Sequence, residues 1–237
     1  MAELSCEKSM YLMKMPVAFS AETFQDINEK LDIIEKAQGP KVLIVTSKHP
    51  RLFSGGLDLK EIQKKGLDYA LALYDGILKL SARFLQIGFP TIAAINGPCF
   101  GAGFLLALAM DYRLSVPSAK FAMREINLGM PLTPKGCAIF KAKLNPKMYR
   151  NILIGGKSLS AGEGKDEGFI DEIVEKSELI IKSKELAETL ADLGNKNEVY
   201  SCVKSSMYHD PIKVISSDDN LHEYCLKILK NNFNPKL

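Results

Sequence analysis

Tryptophan is absent from this 237-residue chain, histidine occurs three times and cysteine five times. His49, His209 and His222 share no metal-ligand spacing, so the sequence offers no metal centre. Cys6, Cys99, Cys137, Cys202 and Cys225 are odd in number, widely spaced and never arranged Cys-x-x-Cys. That pattern argues against a disulfide framework and a zinc ribbon, and predicts buried free thiols in a reducing compartment. Long apolar runs are also missing. The most apolar stretch, residues 100–110, has 11 residues, two of them glycine, against the roughly 18–20 of a membrane span. The first ten residues hold two glutamates, no arginine and no apolar run, which predicts neither a secretory signal nor a mitochondrial presequence. Neither sign of charge dominates. Lys+Arg is 31, Asp+Glu is 28 and the net charge is +3, so no nucleic-acid partner is expected.

What is present suits a folded protein. Hydrophobic residues make up 46% and charged residues 25%, a balance that excludes intrinsic disorder. The length fits one large domain or two small ones and buries a core without staples. No internal repeat or low-complexity run interrupts it.

Hydrophobic periodicity sets out an α/β order. Residues 9–15 read as a strand. Ser20 is placed to cap a helix carrying Phe24, Ile27, Leu31 and Ile34 on one face, and Gly39-Pro40 stops it. Residues 41–47 (KVLIVTS) and 90–95 (PTIAAI) are β-branched or apolar throughout, as in strands buried on both faces. Between them, residues 59–87 have helical periodicity with a break near Gly66. An apolar helix follows Gly101-Ala102-Gly103. Short strands are expected over 112–116, 120–122 and 169–174. Residues 137–144 and the stretch capped by Ser160 are expected to be helical. From Ser177 onward the chain reads as helical, with Leu179, Leu186 and Leu190 on one apolar face and Leu221, Tyr224, Cys225 and Ile228 on another. Residues 1–176 thus form a sheet-bearing core and 177–237 a helical region for capping and oligomerisation.

Two glycine-rich turns carry the chemical signal. Phe53-Ser54-Gly55-Gly56-Leu57-Asp58 follows a buried strand and precedes a helix. Asn96-Gly97-Pro98-Cys99-Phe100-Gly101-Ala102-Gly103 repeats that arrangement. Neither is a phosphate-binding loop of the Gly-x-x-x-x-Gly-Lys-Ser/Thr type. Glycines at such turns let backbone N–H groups approach a ligand, and two N–H groups converging on one oxygen make an oxyanion hole. Convergence is not visible in sequence.

The stretches FSGGLDLKEI (53–62), PTIAAINGPCFGAGFLLALAMDYRLS (90–115) and AKFAMREINLG (119–129) together resemble the crotonase, or enoyl-CoA hydratase/isomerase, superfamily. The resemblance covers residues 40–175 well. It implies a spiral of ββα units with a helical C-terminal region, assembly as a homotrimer or hexamer, and an acyl-CoA thioester as substrate. Coenzyme A belongs to that substrate, and no separate cofactor is implied. The resemblance puts the oxyanion N–H groups on Leu57 and Ala102. Ser54, Gly55, Gly56, Leu57, Asp58, Leu59, Lys60, Gly101, Ala102 and Gly103 are its substrate and coenzyme A residues. Gly56 to Lys60 would follow the adenine and pantetheine arm, with Lys60 offering a point charge to a phosphate.

The acid/base positions choose among the superfamily's reactions. Hydratases carry two glutamates. By resemblance the first falls on Leu105, here an apolar pocket wall, and the second on Glu125. Dienoyl-CoA isomerases add an aspartate that falls on Thr133, which argues against that activity. One base with no partner suits transfer of a double bond from C3 to C2, the pattern of Δ3,Δ2-enoyl-CoA isomerases. Residues 200–208 (YSCVKSSMY) are similar to peroxisomal members. Pro235-Lys236-Leu237 resembles the Ser-Lys-Leu address read by the peroxisomal import receptor, so peroxisomes are the expected location, with cytosol or mitochondrial matrix as the alternatives. The competing functions are a 2-enoyl-CoA hydratase, another acyl-CoA lyase, and a non-catalytic subunit that kept the fold.

Overall fold

The computed structural model describes residues 1–217 and 220–232. The tripeptide Pro235, Lys236, Leu237 lies outside the described residues, as does the side chain of Leu221. The chain opens with β1 (Glu3–Glu7), β2 (Met10–Met15) and β3 (Ala18–Phe19). Helix α1 (Ala21–Lys36) begins where the Ser20 hydroxyl accepts the Thr23 N–H at 3.2 Å, and it buries Phe24, Ile27, Leu31 and Ile34. Strands β4 (Val42–Ser47) and β5 (Gly56–Leu57) then lead to α2 (Leu59–Lys65) and α3 (Leu67–Phe84). The break between those helices is Gly66, whose φ of +82° favours glycine.

Strands β6 (Thr91–Ile95) and β7 (Cys99–Phe100) precede α4 (Ala102–Ala109). All eight residues of α4 are buried, as suits a helix that is apolar on every side. Then come β8 (Tyr112–Ser115), β9 (Lys120–Ala122), α5 (Pro134–Lys143) and α6 (Pro146–Leu153). Strand β10 (Leu159–Ser160), α7 (Ala161–Asp166) and β11 (Glu172–Ile173) finish the core. The rest is α8 (Leu179–Leu190), α9 (Asn197–Met207), α10 (His209–Ser216) and α11 (Asn220–Asn232).

The main sheet has the order β1-β2-β4-β6-β8-β11. Only the β1–β2 pair in it is antiparallel. Ile44 sits between Leu12 and Ile92 in register, and Ala94 faces Leu114. Every residue of β4 and β6 is buried, the mark of a parallel sheet covered on both faces. Helix α8 packs against β2, β4, β6 and β8. A second sheet, β10-β9-β7, and a two-stranded pair, β3-β5, stand apart from the main one. Phe104, Phe121, Phe140 and Phe169 join α4, β9, α5 and the loop before β11, with ring centroids 5.1–5.7 Å apart. Each such pair contributes roughly 0.5–1.5 kcal/mol beyond its buried area, and this cluster fixes α4 relative to β9.

Several expectations are corrected. Strand β1 was not anticipated, because its Glu-rich, largely exposed residues lack a clear period-two pattern. Helix α5 starts at Pro134, not 137: Thr133 caps it and proline suits the first turn. Helix α6 was missed, although Asn145-Pro146 is a cap followed by N1 proline. The strand expected over 169–174 shrinks to β11, since Phe169 and Ile170 turn back to bond the Gly164 carbonyl. Tyr224 is exposed, so it leaves the apolar face on which Cys225 is buried. Cys6 and Cys202 are exposed, so they are not core thiols.

Candidate active site

The two glycine turns meet. Phe53 N–H and Ser54 N–H both donate to the Pro98 carbonyl, at 2.9 and 3.2 Å, and Phe100 N–H returns a bond to the Ser54 carbonyl at 2.9 Å. Ser54 is fully buried beneath the first turn. Its hydroxyl donates to the Val17 carbonyl at 2.9 Å and accepts the Gly56 N–H at 3.1 Å. Gly56 has φ +97°, a conformation that glycine adopts without strain. Asp58 N–H donates to the Phe19 carbonyl at 2.9 Å. Across the gap, Ala102 is the first residue of α4, and its N–H has no carbonyl in a preceding turn. No side chain caps that helix end.

Leu57 and Ala102 border a cavity of ≈ 550 Å³. Of the residues expected there, Gly55, Gly56, Leu57, Leu59, Gly101, Ala102, Leu105 and Glu125 line it, whereas Ser54, Asp58, Lys60 and Gly103 do not. Ser54 and Gly103 sit behind the wall, and a methyl on Gly103 would collide with the Ser54 side chain. Asp58 spends its carboxylate on capping α2, accepting Lys60 N–H at 3.0 Å and Glu61 N–H at 3.1 Å. Lys60 is exposed on that helix.

Glu125 follows β9 and precedes a 3-10 turn over Ile126–Leu128. Leu128 N–H and Met130 N–H bond its carbonyl at 3.0 and 2.8 Å, and Gly129 closes the turn with φ +70°. The loop is thereby anchored to its own backbone, and the Glu125 carboxylate turns toward Gly101. A methyl on Gly101 would sit 3.7 Å from Oε1. Oε2 is shielded and has no hydrogen-bond partner among the described residues. Burial pushes the Glu125 carboxyl above its ordinary range, against a smaller opposing effect of its own backbone N–H. Among the described residues lining the cavity, Glu125 is the one carboxylate. Leu105, expected at the other acid/base position, lines the same cavity and is 2% exposed.

The sequence reading missed Tyr74, Arg124, Gln63 and Leu229, which also line the cavity. Tyr74 shares a helical stripe with Leu67, Ala70, Leu71 and Ile77, all cavity residues of α3. In sequence that stripe is indistinguishable from one facing a solid core. Leu229 comes from α11, so the C-terminal region contributes to the cavity wall.

Paired glycine turns below a buried helix N-terminus, with one shielded carboxylate, describe an enzyme of the crotonase fold. Residues 10–225 match the family model for enoyl-CoA hydratase/isomerase, and the chain belongs to that family. A carnitinyl-CoA dehydratase from Proteus mirabilis (strain HI4320) is 30% identical over 208 residues, spanning 84% of this chain and 78% of the relative. Among solved structures, an enoyl-CoA hydratase/isomerase family protein from Pseudomonas syringae superposes with TM-score 0.83 at 21% identity, covering 97% of this chain and 96% of the other. An enoyl-CoA hydratase from Mycobacterium ulcerans Agy99 gives TM-score 0.81 at 20% identity, over 98% and 99%. Likenesses at that identity speak for the fold alone.

Proposed function

We propose that the chain is a Δ3,Δ2-enoyl-CoA isomerase acting on acyl-CoA thioesters. The observation that carries this reading is the lone carboxylate: Glu125 shares the cavity with Leu105, which neither accepts nor donates a proton. Glu125 takes a proton from C2 of a 3-enoyl-CoA. The C2–H electron pair moves into the C1–C2 bond as the C1=O π pair moves onto the thioester oxygen, and the C3=C4 bond stays in place. Leu57 and Ala102 N–H groups hold that oxygen, each such donor being worth about 10²–10³ in rate. The dienolate collapses as Glu125 returns the proton to C4, leaving the double bond at C2. One base serves both transfers, so no second acid is needed. Desolvation strengthens that base by disfavouring its charged form.

A dehydratase or hydratase is the second reading, favoured by the carnitinyl-CoA dehydratase relatives. The two separate in one paired assay. Purified protein is given 3-hexenoyl-CoA, and separately 2-hexenoyl-CoA. Conversion of the first to 2-hexenoyl-CoA without hydration of the second supports the isomerase. Hydration of the second with no turnover of the first overturns it.

A further inference from the structure

Tyr74 places a hydroxyl in a cavity wall that is otherwise mostly apolar. Its oxygen lies 2.8 Å from Thr133 Oγ1, and Thr133 is fully buried. Either hydroxyl can be the donor in that bond. Thr133 Oγ1 already accepts the Gly136 N–H at 3.5 Å as the cap of α5. A second lone pair on that oxygen stays open, so Thr133 can give its proton to the phenol or take the phenol's. A hydroxyl has one proton and two lone pairs. In either direction the phenol keeps one bonding capacity for whatever fills the cavity: its proton when Thr133 donates, a lone pair when Tyr74 does.

Gly136 makes the arrangement possible: a methyl there would strike the Tyr74 hydroxyl. Burial and, to a lesser degree, the Glu125 charge push the Tyr74 phenol far above its ordinary range. It therefore stays protonated and does not serve as a proton carrier. The same Glu125 charge disfavours an anionic group beside it.

We propose that Tyr74 is a specificity-determining residue, forming a hydrogen bond with an uncharged oxygen, a hydroxyl or a carbonyl, on the acyl chain of the bound thioester. The inference rests on the acyl-CoA reading above but not on the isomerase chemistry.

The test is therefore binding and not turnover. Affinities of the whole chain for hexanoyl-CoA, 3-hydroxyhexanoyl-CoA, 5-hydroxyhexanoyl-CoA and 3-oxohexanoyl-CoA are measured by calorimetry, for wild type and for Tyr74→Phe. Wild type is expected to bind at least one oxygenated ligand about 3–10-fold more tightly than hexanoyl-CoA, the range of one net hydrogen bond. Tyr74→Phe is expected to erase that preference and leave the hexanoyl-CoA affinity unchanged. A wild type without any preference overturns the proposal, whether or not the variant folds. So does a variant that weakens all four ligands equally, since that is the behaviour of a purely structural clamp between α3 and α5. Failure to bind any of the four would overturn the acyl-CoA reading itself, whereas a failed 3-hexenoyl-CoA assay would leave the preference standing.

Discussion

Gly56 and Ala102 belong to different turns, yet a methyl on Gly56 would stand 3.5 Å from the Ala102 amide nitrogen. The close approach of these two residues joins the two turns where Leu57 and Ala102 line the cavity. Gly56→Ala inserts that methyl and also forces φ +97° on a residue with a side chain. The expected result is a fall in kcat of about 10²-fold, the scale of a lost oxyanion donor. Steady-state kinetics with 3-hexenoyl-CoA read it, and unchanged kcat would dissociate this turn from catalysis.

Glu125→Gln should lower turnover by about 10²–10⁴-fold, as for loss of a general base, while acyl-CoA binding persists. A variant retaining a tenth or more of the wild-type rate removes Glu125 from the role of base. The wild-type pH profile should show an acid limb above the ordinary carboxylate range, because the base must be ionised to act and burial raises its pKa. For stability the sign is opposite to that of a salt-bridged acid. The folded protein holds this proton more tightly than the unfolded chain, so the contribution is present at low pH and lost as pH rises through the raised pKa. Glu125→Gln should therefore melt higher than wild type at neutral pH.

Lys143 is half-buried on α5, bonding the Met110 carbonyl at 3.2 Å and the Tyr208 hydroxyl at 2.8 Å. Burial, then the neighbouring Arg113 charge, lower its pKa to about 7. The unfolded chain then binds more protons than the folded one between that value and the ordinary lysine range. This contribution to stability is complete above about 10.5 and fades as pH falls toward 7. Lys143→Met should flatten the dependence of Tm on pH across that window. A parallel displacement of the whole curve would count against the shift.

Asp111 and Lys204 form a buried ion pair at 2.8 Å, and Asp111 also receives Thr91 N–H and hydroxyl bonds at 2.9 Å each. Lys204→Met leaves the carboxylate without its cation, a change that typically costs about 3–5 kcal/mol. Urea unfolding should report a lower midpoint with the same slope. Asp111→Asn together with Lys204→Met should recover part of the loss.

Val199, Val203 and Met207 stand 64%, 52% and 66% exposed along α9, an apolar stripe at i, i+4, i+8. The stripe supports the expected homotrimer or hexamer. Light scattering at micromolar concentration should return three or six times the chain mass, and a monomer would rule the assembly out.

The order of β-branched runs, glycine turns and capped helices was legible along the chain because each is a local signal. Ser20 and Ser160 show why: each cap bonds within three residues of itself. The motif around Glu125 was legible too, as was the apolar residue at Leu105. Contacts across the fold were not. Ser54 and Gly103 read as site residues because they flank the turns, but packing puts one against the other behind the cavity wall. The helical periodicity over 59–87 did not single out Tyr74, because periodicity identifies a buried face without saying whether protein or empty space lies opposite. Tertiary structure decided that, since the cavity exists only where α3, α4, α5, α11 and the Glu125 loop fail to fill the space between them. The local sequence dictates hydrogen bonds a few residues long. The meeting of Gly56 with Ala102, and of Tyr74 with Thr133 59 positions away, is set by how whole elements pack.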